Sequence, residues 1–114
     1  MDVFVVEQGG RVRVLDTEND SDLAGVERTR TELWGSSSLR ELGARFLPSL
    51  ADQDLWVYPE DLDAFQAECE MVVARLWKIA DETGYVEDYV GFRIGNIIQA
   101  CMRARYVGGG VVVW

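Results

Sequence analysis

The sequence predicts an α+β fold: a small antiparallel sheet, made of an N-terminal hairpin and a C-terminal strand, packed against a long two-helix hairpin and a short helix. Three observations carry this. Two β-branched runs, Val3-Phe4-Val5-Val6 and Arg11-Val12-Arg13-Val14-Leu15, flank Gly9-Gly10. Apolar residues then recur every three or four positions through Leu62, Phe65, Cys69, Val72, Leu76 and Ile79. The chain ends on Gly108-Gly109-Gly110 followed by Val111-Val112-Val113-Trp114. Period two gives a half-buried strand, and period 3.6 gives a helix with one buried face.

A glycine pair between two strand-like runs reads as a tight hairpin, because glycine supplies the positive φ such turns require. Asp16 to Asp22 is an acidic loop. From Asp16, oxygen-bearing residues fall at positions 1, 3, 5 and 7 of a calcium-type loop and Glu27 at position 12. Ser21 stands where that loop turns on glycine, and the segment leaves a strand rather than a helix, so a solvated acidic loop is the preferred reading. Residues 23–34 are ambiguous between strand and helix; the side-chain types of Thr-Arg-Thr-Glu-Leu-Trp favour a third strand.

Ser38 with Glu41 forms a capping box, and Leu39, Leu42, Phe46 and Leu47 share one helical face before Pro48, which predicts a short helix over 38–47. Leu55-Trp56-Val57-Tyr58 is the strand-like centre of a connector. Pro59, with Glu60, Asp61 and Asp63 behind it, suits the first turn of a long helix that Gly84 ends. Val73, Trp77 and Ala80 widen its apolar stripe toward a second neighbour. Residues 85–105 form the partner helix of an antiparallel hairpin. Gly91 and Gly95 lie on one face of it, where a close backbone approach, or a ligand, would offset their helix cost of about 1 kcal/mol each. The final glycines follow a helix C-terminus, the wrong dipole end for a phosphate, and so turn the chain into the last strand.

The 114 residues fit one domain with enough apolar side chains for a core. Cys69 and Cys101 read as reduced, buried thiols of a cytoplasmic protein, and neither a signal peptide nor a membrane span is evident. There is no histidine, which removes imidazole bases, Ser-His-Asp triads and histidine zinc sites; two cysteines do not close a zinc site, and the Ser36-Ser37-Ser38 trio lacks an activating base. Pairs such as Glu68/Glu70 and Glu87/Asp88 read as solvated helix faces. No enzyme, metal or cofactor is expected.

The net charge of −9 argues against binding nucleic acid or an anionic membrane and suits a basic partner. The charge is unevenly spread. Seven acids and no Lys or Arg lie between Phe46 and Ala74, whereas three arginines and no acids lie between Tyr89 and Trp114. Asp52, Asp54, Trp56, Tyr58, Glu60, Asp61 and Asp63 mix acids with large aromatics and form the expected partner-binding stretch, against the plainer reading of a solubilising face.

The size, the acidity and the C-terminal half together resemble the small acidic immunity proteins of bacterial polymorphic-toxin and contact-dependent inhibition systems. The residues concerned are Asp81-Glu82-Thr83-Gly84-Tyr85, the run Phe92-Arg93-Ile94-Gly95-Asn96-Ile97-Ile98-Gln99-Ala100, and the ending Gly109 to Trp114. The resemblance implies a non-enzymatic protein that binds and inhibits a cognate toxin. The alternatives are a phage or mobile-element inhibitor of a nucleic-acid enzyme acting by acidic mimicry, and a small-molecule binder or enzyme using the Gly91/Gly95 face.

Overall fold

The computed structural model describes residues 1–15 and 24–114. The calcium-loop reading of residues 16–22 lies outside them. Strands β1 (Asp2–Val6), β2 (Val12–Leu15), β3 (Leu55–Val57) and β4 (Gly110–Val113) form one antiparallel sheet in the order β2-β1-β4-β3. The last strand is therefore internal. Val3 pairs with Leu15 on one side and Val111 on the other, and Val57 lies beyond Val111. Gly9 and Gly10, with φ of 87° and 83°, close the β1–β2 hairpin as expected.

Residues 27–34 are helical, which corrects the strand reading. A single turn, α1 (Glu27–Thr29), runs into a π-helical turn over Arg30–Trp34. Thr29, Leu33 and Trp34 are buried while Arg28 and Glu32 pair at i,i+4. Side-chain spacing around a helix outweighs the strand preference of the threonines. The next helix, α2 (Ser37–Glu41), is shorter than expected and is capped two residues earlier: Ser36 Oγ accepts from Leu39 N–H, while Ser38 is buried and donates to Glu82 at 2.8 Å. A 3₁₀ turn over Leu47–Ala51 begins where the expected helix was to end.

Pro59 starts a 3₁₀ turn (Pro59–Asp61) that leads into α3 (Leu62–Val73), and α4 (Leu76–Thr83) follows. The expected single helix is thus interrupted at Ala74 and Arg75, where Arg75 leaves helical geometry at φ −129°, ψ 25°. The apolar stripe runs across the break, with Leu62, Phe65, Cys69, Val72 and Ile79 buried. Its expected widening holds only in part: Val73 is 44% and Trp77 65% exposed, although α4 does pack on two neighbours, α5 and α2.

Helix α5 (Glu87–Val107) is the spine. It packs on α3, α4, β1 and β4, burying Val90, Ile94, Ile97, Ala100, Cys101 and Ala104. It stops in a Schellman motif: Gly108 N–H bonds to Arg105 O and Gly109 N–H to Ala104 O. The close backbone approach expected at Gly91 and Gly95 occurs instead in the final glycines. A Cβ on Gly109 would lie 2.0 Å from Phe4 O, and one on Gly110 2.1 Å from Val57 O. At Gly95 it would meet nothing within 4 Å, and at Gly91 only the Leu76 side chain at 3.4 Å. Cys69 and Cys101 are free and buried, on facing helices α3 and α5. Among the described residues, no helix is long and apolar enough to cross a membrane.

Candidate functional site

One face of the sheet lies on the helices; the other is finished by aromatic rings. Alternation and register place Val3, Val111, Val113, Leu55 and Val57 inward, where all five are buried in the main core. The same rule turns Asp2, Phe4 and Val6 of β1, Val12 and Val14 of β2, Val112 of β4 and Trp56 of β3 outward. Tyr58 and Trp114 continue these rows just beyond β3 and β4. Leu15, rather than Val12 or Val14, is the β2 residue that packs on the core.

Phe4 and Val112 are fully buried on this outer face and stand outside the main core cluster. Phe4 sits in a chain of rings. Phe4 packs on Trp56 and on Tyr58, each at a 5.2 Å centroid distance, and Trp56 meets Trp114 at 5.4 Å with the rings 87° apart. Gly110 leaves the space the Phe4 ring occupies, since a Cβ there would come within 2.7 Å of it. Trp114 Nε1–H donates to Asp2 Oδ2 at 2.8 Å, which ties the two ends of the chain together. The outer rings are half open: Trp56 and Tyr58 are each 38% exposed and Trp114 48%. With exposed Val6 and Val12 beside them, they form an aromatic-apolar surface on a twisted sheet.

The seven residues expected to bind a partner do not form one patch. Trp56 and Tyr58 belong to this face. Asp54 is held by Arg30 Nη1 at 2.9 Å, and the same guanidinium donates from Nε to Leu50 O, at the end of the sheet. Asp63 is paired with Arg105 of α5, whose Nε also bonds Gln66. Asp52 after the 3₁₀ turn, and Glu60 and Asp61 beside Pro59, are exposed on the rim. Asp2, Phe4 and Trp114 were missed because they come from the termini. Their signal was the period-two placement of Asp2-Phe4-Val6 and of Val112-Trp114; the continuous Val111–Val113 run hid it.

A concavity of about 500 Å³ lies between α1 and the start of α5, lined by Val26, Thr29, Glu32, Tyr85, Val86 and Tyr89. Tyr85 stacks on Tyr89 at 5.5 Å, Tyr85 Oη donates to Glu32 at 2.9 Å, and the Tyr89 and Thr29 hydroxyls bond at 2.9 Å. Burial, then the bond to Glu32, raises the Tyr85 phenol above its ordinary value, so it is a hydroxyl donor rather than a base. Among the described residues, no three carboxylates or thiols converge to hold a cation.

Compared with family models, curated proteins and solved structures, the chain matches none.

Proposed function

We propose that this chain is a non-enzymatic binding protein that neutralises a protein partner, read as an immunity protein that binds and inhibits a cognate bacterial toxin in the cytoplasm. The observation that carries the reading is the open outer face of the sheet, where Trp56, Tyr58 and Trp114 stand half-exposed over buried Phe4 and Val112. Tryptophan and tyrosine supply most of the energy in protein interfaces, because each buries a large rigid area at small entropic cost. The charge of −9 and the exposed rim acids Asp52, Glu60 and Asp61 favour encounter with a basic partner. Mimicry of a nucleic-acid backbone is less favoured, because Asp54 and Asp63 are engaged by Arg30 and Arg105 instead of forming an open acidic track.

Co-expression with the product of the adjacent gene tests the reading. A complex that survives purification, relief of that product's toxicity, and loss of both with Trp56→Ala are expected. Absence of a complex and of protection rejects it, as does full protection by the Trp56→Ala, Tyr58→Ala double variant.

A further inference from the structure

Helix α5 packs one side on α3, α4 and the sheet. Half a turn away a second stripe runs along it: Asp88, Phe92, Gly95, Gln99, Met102 and Tyr106. The spacing alternates between four and three residues, the pattern of a seam between two helices. This stripe is open. Phe92 is 52%, Met102 59% and Tyr106 92% exposed, and Asp88 and Gln99 are exposed as well. The Arg93 guanidinium lies over the Phe92 ring at 5.3 Å and leaves half of that side chain uncovered. Gly95 serves no contact within the chain, since a Cβ there would meet nothing within 4 Å, yet glycine weakens a helix interior relative to alanine.

The stripe is its own complement. About a point between Gly95 and Gln99, reversing the helix carries Asp88 onto Tyr106, Phe92 onto Met102 and Gly95 onto Gln99. We propose that α5 is a self-association surface, on which a second copy of this chain lays its own α5 antiparallel about a twofold axis between Gly95 and Gln99. Each position then meets a fitting one, and meets it twice, as a contact between identical surfaces requires. The Met102 thioether lies against the Phe92 ring of the other copy. The Tyr106 hydroxyl donates to the Asp88 carboxylate. Gly95 leaves room for Gln99 across the axis, which accounts for a glycine that packing within the chain does not require. Antiparallel helices also bring opposite dipole ends together. A helix of a foreign protein would cover an apolar stripe too, but here the matching order is already written in the chain itself. The net charge of −9 on each copy opposes the pairing, and one helix on another is a small interface, so the affinity falls in the micromolar range or weaker. The stripe lies across α5 from the sheet, so pairing leaves both outer sheet faces open, and the inference stands apart from the reading of that face.

Sedimentation equilibrium of the full chain, from low micromolar to near-millimolar concentration, should show a reversible monomer–dimer exchange that tightens as salt screens the two copies from each other. Phe92→Glu and Met102→Glu change exposed side chains of the stripe and should each weaken the dimer about ten-fold or more, with thermal unfolding of the dilute monomer unchanged. Gln53→Glu adds the same charge at an exposed site before β3 and should change the dimer little. Cysteines report the register. Phe92→Cys and Met102→Cys, mixed and mildly oxidised, should form a disulfide-linked dimer far faster than either variant alone, because only the unlike positions meet. A parent that stays monomeric throughout, a dimer that both glutamate variants leave intact, or cross-linking of either cysteine variant with itself as fast as in the mixture would overturn the inference. A monomeric parent whose capture of the co-expressed partner is lost in Phe92→Glu would give the stripe to that partner and overturn it as well. None of these results bears on Trp56→Ala, which tests the sheet face separately.

Discussion

The carboxylate of Glu68, on α3, accepts the backbone N–H of Leu47 at 2.8 Å through Oε2, while its Oε1 accepts from Arg45 and Phe46. Three consecutive N–H groups at the start of a 3₁₀ turn thus end on one buried side chain. The sequence suggested a solvated Glu68; the structure makes it the anchor of the segment that leads to β3. Glu68→Ala should cost about 2–4 kcal/mol in urea unfolding, because buried donors lose a charged acceptor. Glu68→Gln, which keeps one acceptor oxygen, should lose clearly less. Equal losses would assign the effect to packing instead of hydrogen bonding.

The glycines separate into two kinds with opposite expected signs. Gly109→Ala and Gly110→Ala would drive a methyl to 2.0 and 2.1 Å from carbonyl oxygens of Phe4 and Val57. These are backbone atoms of paired strands, so relief requires the sheet to open, and each variant should lose about 3 kcal/mol or fail to fold. Gly95→Ala enters open space within α5 and should gain about 0.5–1 kcal/mol from helix propensity. Thermal unfolding of the three variants against the parent decides it; a destabilised Gly95→Ala would mean that face is needed for something packing does not show.

Which features could be read from the sequence follows from their range. The hairpin at Gly9-Gly10, the stripe from Leu62 to Ile79 and the turn at Gly108 are local patterns, and the structure has all of them. The placement of β4 between β1 and β3 depends on long-range pairing, so Leu55–Val57 reads as strand-like but not as the edge strand of the same sheet. The helix at Glu27 was obscured because threonines favour strands, while burial of Thr29 and Leu33 four apart requires the helix. Of the candidate site, Trp56 and Tyr58 stand out in the sequence as large aromatics among acids, without a sign of whether they are exposed or core. Their partners Phe4 and Trp114 do not, since nothing local to residues 52–63 indicates which strands lie alongside.

The acids of the 52–63 segment should differ in kind when reversed. Asp52→Lys with Asp61→Lys changes exposed side chains and should shift stability by no more than about 0.5 kcal/mol. It should slow association with a basic partner and flatten the salt dependence of that rate, with a smaller effect on dissociation. Asp54→Lys instead confronts Arg30, whose guanidinium also holds the Leu50 carbonyl, and should disturb the approach to β3. Stopped-flow association at two ionic strengths, beside urea unfolding, separates these. An unchanged rate for the double variant would leave the rim acids as a solubility feature.

Tyr85 should leave a mark on the alkaline limb of stability. Burial, and then its bond to Glu32, raise its phenol above the ordinary value of 10.0. Below that pH the group is neutral in both folded and unfolded chains, and its contribution to stability is fully present. As the pH rises past 10.0, the unfolded chain gives up the proton first, so the contribution declines and is gone once the pH has passed through the higher folded value. Tyr85→Phe lacks the Glu32 bond at every pH and should be less stable near neutrality by about 0.5–1 kcal/mol, the low end of the range for a partly exposed bond. The gap between parent and variant should then narrow above pH 10.0 as the parent loses its advantage. Urea midpoints for both proteins across this range measure it, and a gap that stays constant or widens with alkali would remove Tyr85 as the titrating group.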